Sequence, residues 1–392
     1  MNLTPPKFRR RGAVAAVSVL CSLSLCATAV AAPDTPDSGS AGSAGSSGDA
    51  SLSSQITGSS INPGQASVPD EAPGVPDGVE ITQVDDVDGA NGHVKRLHIH
   101  SEAMPDGEWM WDGAMANQQR KDMLVELVLP KDWYEKPDAT WPSLWGLNGL
   151  YGSEYSSAWL QENRGDIRSM YGDKNIMLVL PVGGQASFYS DWQKEDRGDN
   201  LQWDTFLTQE LPGLLARDWK TNNHRGAMGV SMGATASVLL AQRHPDLFQF
   251  AGSMSGFLDM SSPGMPAAVN TMMAPYSREA TNMWGLYYSS GWRQHDPKLM
   301  LGNLRNSTVF VSAGTGNPYP GEGYGDPTID ETNMTVEKLS RVSTDTFIAQ
   351  ATGAGVKVHT NLRDQGSHNW MSWQKDLAAA WSVIADALGV EE

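Results

Sequence analysis

A serine hydroxyl becomes a nucleophile when a tight turn exposes it and a base takes its proton, and Gly229-Val230-Ser231-Met232-Gly233 has the spacing for such a turn. Gly226–Val230 reads as a strand and Ala234–Ala241 as a helix. A strand that turns directly into a helix brings two backbones together, so the flanking positions need glycine and the serine takes a strained conformation. The turn lifts the Ser231 hydroxyl clear of the sheet. It also sets the Met232 N–H at a helix N-terminus, where the dipole favours a developing oxyanion. A glycine-rich turn with an incidental serine is the alternative, and the strand–turn–helix context argues against it.

The base must be a histidine. In folds that carry this turn the order is serine, acid, histidine, so the base follows the last strand. His98 and His100 alternate along an early strand, and His93 and His224 precede the serine in expected loops. His244 closes a helix before Pro245, and His295 lies in an excursion before the penultimate strand. His359 falls inside the expected last strand. His368, in Gly366-Ser367-His368-Asn369-Trp370, occupies a loop between that strand and the final helix, at the carboxyl end of the sheet where a ring can reach the serine. It is preferred. The acid stays open on these grounds: Gly314 to Gly321 holds no carboxylate, and Glu322, Asp326, Asp330, Glu331 and Glu337 all follow.

Positioning such groups takes a mostly parallel sheet, and short apolar runs alternate with helical patterns as βαβ units require. Strands are expected at Arg96–His100, Met123–Leu129, Ser143–Leu147, Ile176–Pro181, Gly226–Val230, Phe248–Ser253, Thr308–Ala313 and Lys357–Leu362. Helices are expected at Trp203–Trp219, Ala234–His244, Glu331–Ala351 and Trp370–Leu388. The fold class is α/β, residues 78–392 forming the globular part with no internal repeat and no second domain. Residues 1–31 read as a cleaved export signal: Lys7, Arg9, Arg10 and Arg11, an apolar run, then Ala29-Val30-Ala31. Residues 32–77 are rich in Ser, Gly, Pro and Asp and read as a flexible tether.

Charge and cysteine usage exclude several functions. The formal charge is −17, and losing the leader's four cations takes it to −21, a surface that repels nucleic acid and anionic lipid. Cys21 and Cys26 both lie in the leader, so the remainder has no thiol, no disulfide and no thiolate metal site. The expected chemistry needs no metal or cofactor, and no stable membrane span is expected. Leu258–Leu301 is rich in methionine and tryptophan, which suits either a groove for a long acyl chain or an ordinary core.

The run from Leu180 to Trp192, Leu180-Pro181-Val182-Gly183-Gly184-Gln185-Ala186-Ser187-Phe188-Tyr189-Ser190-Asp191-Trp192, resembles the signature segment of the antigen-85-type mycolyltransferases. Trp203–Leu207, Gly229–Gly233, Ala251–Ser253, Met283–Gly285 and His368–Trp370 follow in matching order, so the resemblance spans roughly Leu144 to Leu377. It implies an α/β-hydrolase fold and a secreted, envelope-located acyltransferase. The donor would be a mycolyl-trehalose-type glycolipid and the acceptor a sugar or the cell wall. It implies Glu337 as the acid, because Val336-Glu337-Lys338-Leu339 resembles the family's helix-borne glutamate and Phe347 falls at the matching spacing; Asp330 stands behind it. It also implies the Leu150 N–H as second oxyanion donor, and Ser343 and Trp370 beside the acceptor sugar.

Two departures stand out. Where the family carries Asp-Gly-Leu-Arg, this chain has Asn148-Gly149-Leu150-Tyr151, so Asn148 and Tyr151 take the places of the charged pair that grips trehalose. Losing a charged hydrogen-bonding group costs sugar binding on the order of 1–3 kcal/mol. The family's cysteine near the penultimate strand is replaced by Ala313. A carboxylesterase or thioesterase of the same fold, or a non-catalytic surface adhesin, are the competing readings.

Overall fold

Met123-Leu124-Val125-Glu126-Leu127-Val128 is an apolar run with a single carboxylate, and it forms a strand buried along its whole length. A strand so apolar must lie inside a sheet covered on both faces. The computed structural model describes residues 72–391 except 88–90, 111–117, 154 and 323–326, and leaves out the side chains of residues 327–330. The expected export signal and residues 32–71 of the expected tether lie outside the described residues.

Nine strands make the sheet: β1 (Glu80–Asp86), β2 (Val94–His100), β5 (Met123–Val128), β6 (Trp141–Leu147), β7 (Met177–Val182), β8 (Thr221–Val230), β9 (Phe250–Met254), β10 (Thr308–Ala313) and β11 (Val358–Leu362). Their order is β1-β2-β5-β7-β6-β8-β9-β10-β11, and β3 (Glu108–Met110) and β4 (Gln118–Arg120) form a separate hairpin. From β7 to β11 every neighbouring pair is parallel, while β1, β2, β5 and β7 pair antiparallel. This is an α/β-hydrolase fold with a mostly parallel central sheet. Connections diverge to either side of β6, and in open α/β sheets the carboxyl ends of the strands at such a point form the binding crevice.

Side chains alternate between two cores, one on each face. Trp145, Val179 and Ala227 join one apolar cluster, while their neighbours Leu144, Leu178 and Met228 join the other. Helices α1 (Leu211–Trp219), α2 (Met232–Arg243) and α3 (Pro327–Gly353) cover the first face through Leu214, Leu215, Val238, Leu240 and Phe347. Helix α4 (Trp370–Leu388) covers the second through Leu377, Ala380 and Ile384. Among the described residues no helix is long and apolar enough to cross a membrane.

Several sequence expectations need correction. The single helix expected over Trp203–Trp219 is interrupted by a π-helical turn at Phe206–Glu210. The break leads into Pro212, which has no N–H to donate one turn back. β8 begins at Thr221 rather than Gly226, so His224 lies in a strand and not in a loop. β1, β3 and β4 were not anticipated; the mainly exposed Glu-Ile-Thr-Gln-Val-Asp-Asp of β1 lacks a clear apolar alternation. The end of the expected tether is also packed: a Cβ on Gly213 would fall 2.5 Å from the Gly74 carbonyl oxygen.

Phe250 is fully buried on β9, and its ring and Cβ take the space that Gly226 and Gly252 leave open. Phe250→Ala should therefore cost about 3–5 kcal/mol of stability, read as a lower midpoint in urea unfolding.

Candidate active site

The turn between β8 and α2 is built on two close backbone approaches. A Cβ on Gly229 would lie 2.1 Å from the carbonyl carbon of Gly233, and one on Gly233 would lie 2.4 and 2.5 Å from the carbonyl oxygens of Leu147 and Asn148. No side chain fits at either place. Between them Ser231 sits at φ 55°, ψ −119°, a conformation L-residues rarely hold. Its N–H donates to the Met254 carbonyl (2.9 Å) and its carbonyl accepts from the Ala234 N–H (3.0 Å), which holds the strained residue from both sides.

His368 reaches the serine from the loop between β11 and α4. Its Nε2 is 2.8 Å from Ser231 Oγ, and its Nδ1 is 2.8 Å from Glu337 Oε2. The imidazole lies edge-on to Trp373, with ring centroids 5.1 Å apart, and tilted 6.4 Å from Phe257. Glu337 projects from α3 and is fully buried. Its Oε1 accepts from the Gly314 N–H (2.6 Å), Ser255 Oγ (2.8 Å) and Arg363 Nη2 (3.2 Å). Burial alone would raise this carboxyl, yet the His368 hydrogen bond, the Gly314 amide and the Arg363 charge hold it below the ordinary range. Serine, imidazole and carboxylate thus form an unbroken relay, an arrangement that can deprotonate the hydroxyl and stabilise the resulting imidazolium.

The other acid candidates stand apart from the ring. Glu322 accepts from the Tyr319 and Ser367 N–H groups (2.7 and 3.1 Å) and from Ser372 Oγ (2.5 Å), which fixes the loop carrying His368. Glu331 is exposed. Asp326 lies outside the described residues, as does the side chain of Asp330. Among the other histidines, His98 pairs with Asp85 (2.9 Å) and His244 with Asp204 (2.7 Å), while His359 lies within β11. His295 stacks on Trp284, donates to the Gly291 carbonyl and meets Arg243 Nη1 at 2.7 Å; burial pushes its pKa down to about 4 and keeps it neutral.

Met232 opens α2, so its amide is one of the helix's orphan donors. Leu150 lies in the turn after β6, next to Gly149, whose Cβ would be 3.5 Å from Ser231 Cβ. Among the described residues the Leu150 N–H has no backbone acceptor. The Leu180–Trp192 segment ties both donors down. The Ala186 N–H bonds the Leu150 carbonyl (3.0 Å), the Phe188 N–H bonds Met232 Sδ (3.2 Å), and Tyr189 Oη accepts from the Asn148 N–H (2.9 Å).

The residues expected around an acceptor sugar fare unequally. Asn148 is fully buried: its Nδ2 donates to the Pro181 carbonyl (3.0 Å) and its Oδ1 accepts from Ser157 Oγ and the Ala158 N–H (3.2 Å each). That amide is consumed by the protein and corrects the expectation that it faces a sugar. Ser343 is likewise buried, its Oγ accepting from the Leu258 and Asp259 amides (2.5 and 3.0 Å). Tyr151 is 71% exposed, with its ring edge-on to Tyr276. Trp370 is partly exposed and meets Trp159 and Trp373 edge-on, with centroids 5.2 Å away in each case. In the methionine-rich excursion Met260, Met273, Met283, Trp284 and Trp292 are wholly buried, so most of its apolar side chains are core.

Comparison with known proteins decides the family. The Esterase family model matches residues 116–383. The diacylglycerol acyltransferase/mycolyltransferase Ag85B of Mycolicibacterium smegmatis is 34% identical over 254 residues, covering 62% of this chain and 76% of that protein. The chain belongs to the antigen-85-type mycolyltransferase family. The Ag85A protein of Mycobacterium tuberculosis is 33% identical over 273 residues, 65% of this chain and 76% of its own. Among solved structures, Mycobacterium tuberculosis MPT51 (FbpC1) superposes with a TM-score of 0.57 at 28% identity, covering 68% of this chain and 94% of that one. Membership of this mycolyltransferase family makes the protein an acyltransferase.

Sequence reasoning missed Ser255, Arg363 and Asp376, which surround the relay. Ser255 takes a left-handed conformation (φ 56°) and has no motif of its own. Asp376 is fully buried on α4, and burial pushes its pKa up to about 7 against the pull of Arg363; Glu108 is likewise pushed to about 7 by burial, against Arg120.

Gly233→Ala should lower stability by about 2–4 kcal/mol in thermal or urea unfolding, because backbone must move to admit the methyl group. The raised carboxylates set a pH trend. Asp376 and Glu108 hold protons in the folded state that the unfolded chain has already lost, so their contribution to stability is complete below the ordinary carboxylate range and declines as pH rises towards about 7. Within that window the unfolding midpoint should fall as pH rises, and Asp376→Asn should flatten the decline.

Proposed function

We propose that the protein is a secreted serine acyltransferase that moves a mycolyl-type acyl group from an acyl-trehalose donor to a sugar or cell-wall acceptor. The observation that carries this reading is the Ser231–His368–Glu337 relay, two 2.8 Å contacts ending on a serine held in a strained turn. Ser231 Oγ attacks the ester carbonyl of the donor while His368 Nε2 takes its proton, and Glu337 stabilises the imidazolium. The oxyanion rests on the Met232 and Leu150 amides, and donors of this kind are worth roughly 10²–10³ each in rate. The tetrahedral species collapses when His368 returns the proton to the departing sugar oxygen, which leaves the acyl group on Ser231. An acceptor hydroxyl then loses its proton to His368 and attacks the acyl carbonyl, and the Ser231 ester bond breaks as His368 returns that proton to Oγ.

Transfer outruns hydrolysis only where the acceptor displaces water. With Asn148 and Ser343 turned inward, acceptor contacts fall to Tyr151 and Trp370. Neither offers a charge, so the acceptor is held more by ring stacking than by a charged pair. Export follows from the expected leader at residues 1–31, which precedes the catalytic region of residues 78–392.

Purified protein offered an acyl-trehalose donor together with trehalose, arabinan and water should give acylated sugar in excess of free acid by mass spectrometry. Free acid as the sole product, unaffected by acceptor, would instead establish an esterase. Ser231→Ala should lose about 10⁴-fold or more in transfer and all labelling by a fluorophosphonate probe. Transfer surviving in that variant would eliminate the acyl-enzyme.

A further inference from the structure

Behind the relay lies a second, wholly internal charge cluster. The Arg363 side chain, at the end of β11 and 5% exposed, lies between two fully buried carboxylates: Nη2 is 3.2 Å from Glu337 Oε1, and Nε is 3.1 Å from Asp376 Oδ1. Its backbone is fixed as well. The Arg363 N–H donates to the Ala313 carbonyl (3.0 Å), and its carbonyl accepts from Arg341 Nη1 (3.3 Å). The loop bearing His368 is shaped around the guanidinium, since a Cβ on Gly366 would fall 2.4 Å from Arg363 Nη1. Asp376 Oδ1 also accepts from Asn361 Nδ2 (2.9 Å).

A guanidinium buried this deeply is costly unless its charge is used. One cation here serves two anionic sites, and only one of those touches the imidazole. Glu337 must keep Oε2 aimed at His368 Nδ1 while Oε1 stays pinned. Rotation of the carboxyl group would break the relay, and Arg363 supplies the only charged contact on the pinned oxygen among the described residues. We propose that Arg363 is the positioning residue of the relay, and that Asp376 sets how much of its charge reaches Glu337. This rests on the assignment of Glu337 as the relay's acid. The charged and titratable groups around the guanidinium are Glu337 and Arg341 from α3 and Asp376 from α4, with His368 beyond Glu337, and Tyr319 and Glu322 on the far side of Gly366 and Ser372. Asp376, raised by burial to about 7, changes charge in the neutral range. When it is neutral, Arg363 acts on Glu337 alone; when it ionises, it draws part of that charge away.

The two variants therefore have opposite signatures. Arg363→Met leaves the Glu337–His368 pair more negative, so the pair keeps its proton to higher pH and the acid limb of activity moves up. Asp376→Asn frees the guanidinium's charge for Glu337, and the limb moves down. Shifts of about 0.5–1 pH unit are expected from a single charge at this range. Arg363→Lys restores the charge without the fork and should return the limb to its wild-type position while the rate stays depressed.

The measurement is the second-order rate of fluorophosphonate labelling of the full chain across pH 5–9, with Glu337→Gln in parallel and thermal melts for each variant. A 10–100-fold slower rate in Arg363→Met with the limb displaced upward, and a downward displacement in Asp376→Asn, support the proposal. An unmoved limb in both, alongside strong loss of labelling in Glu337→Gln, overturns it and leaves Arg363 as packing. Full labelling in Glu337→Gln removes the relay's acid itself and the proposal with it. If Arg363→Met does not fold, a lowered limb in Asp376→Asn beside a wild-type limb in Arg363→Lys still supports the proposal, and an unmoved limb in Asp376→Asn overturns it.

Discussion

The candidate site depends on three stretches of backbone that touch where no side chain intervenes. The carbonyl carbon of Gly233 occupies the place a Gly229 side chain would need, and the Leu147 and Asn148 carbonyls occupy the place of a Gly233 side chain. Ser231 holds its strained conformation between these contacts, and the β6 turn, with Leu150, lies alongside the start of α2. Strain at one residue costs on the order of 1–3 kcal/mol. The two apolar cores flanking the sheet hold the strands rigid enough to sustain it.

From that point the chemistry is a matter of keeping one negative charge deep inside the protein. Glu337 remains ionised because an amide, a hydroxyl, a guanidinium and an imidazole converge on its two oxygens. These come from β9's end, the turn after β10, the end of β11 and the loop beyond it. The parallel half of the sheet therefore delivers its contributions at the carboxyl ends of neighbouring strands, the geometry expected of a doubly wound α/β fold. Elsewhere charge is handled by pairing, as with Asp204, which is shared between His244 and Arg243.

Much of this was legible in the residues alone. Continuous apolar runs announced β5, β7 and β10, and the glycine spacing singled out Ser231. Position in the chain singled out His368. Glu337 came only from the resemblance, since several carboxylates follow β10 and nothing local ranks them. What escaped were directions of polar side chains. Asn148 faces inward because Pro181, Ser157 and Ala158 claim its amide, and Ser343 because the Leu258 and Asp259 amides, some 85 residues away in the chain, claim its hydroxyl. Local periodicity carries no record of such distant partners. The buried triplet of Glu337, Arg363 and Asp376 was hidden for the same reason.

The Leu180–Trp192 segment has a consequence for timing. It clasps Leu150, Met232 and Asn148 at once, so the two amides proposed to hold an oxyanion are oriented by the fold itself. A mould that is set before the guest arrives charges no reorganisation at the moment of reaction, and it cannot tell one guest's carbonyl from another's. On the proposed reading, discrimination between acceptors then falls outside it, to the rim where Tyr151 is exposed.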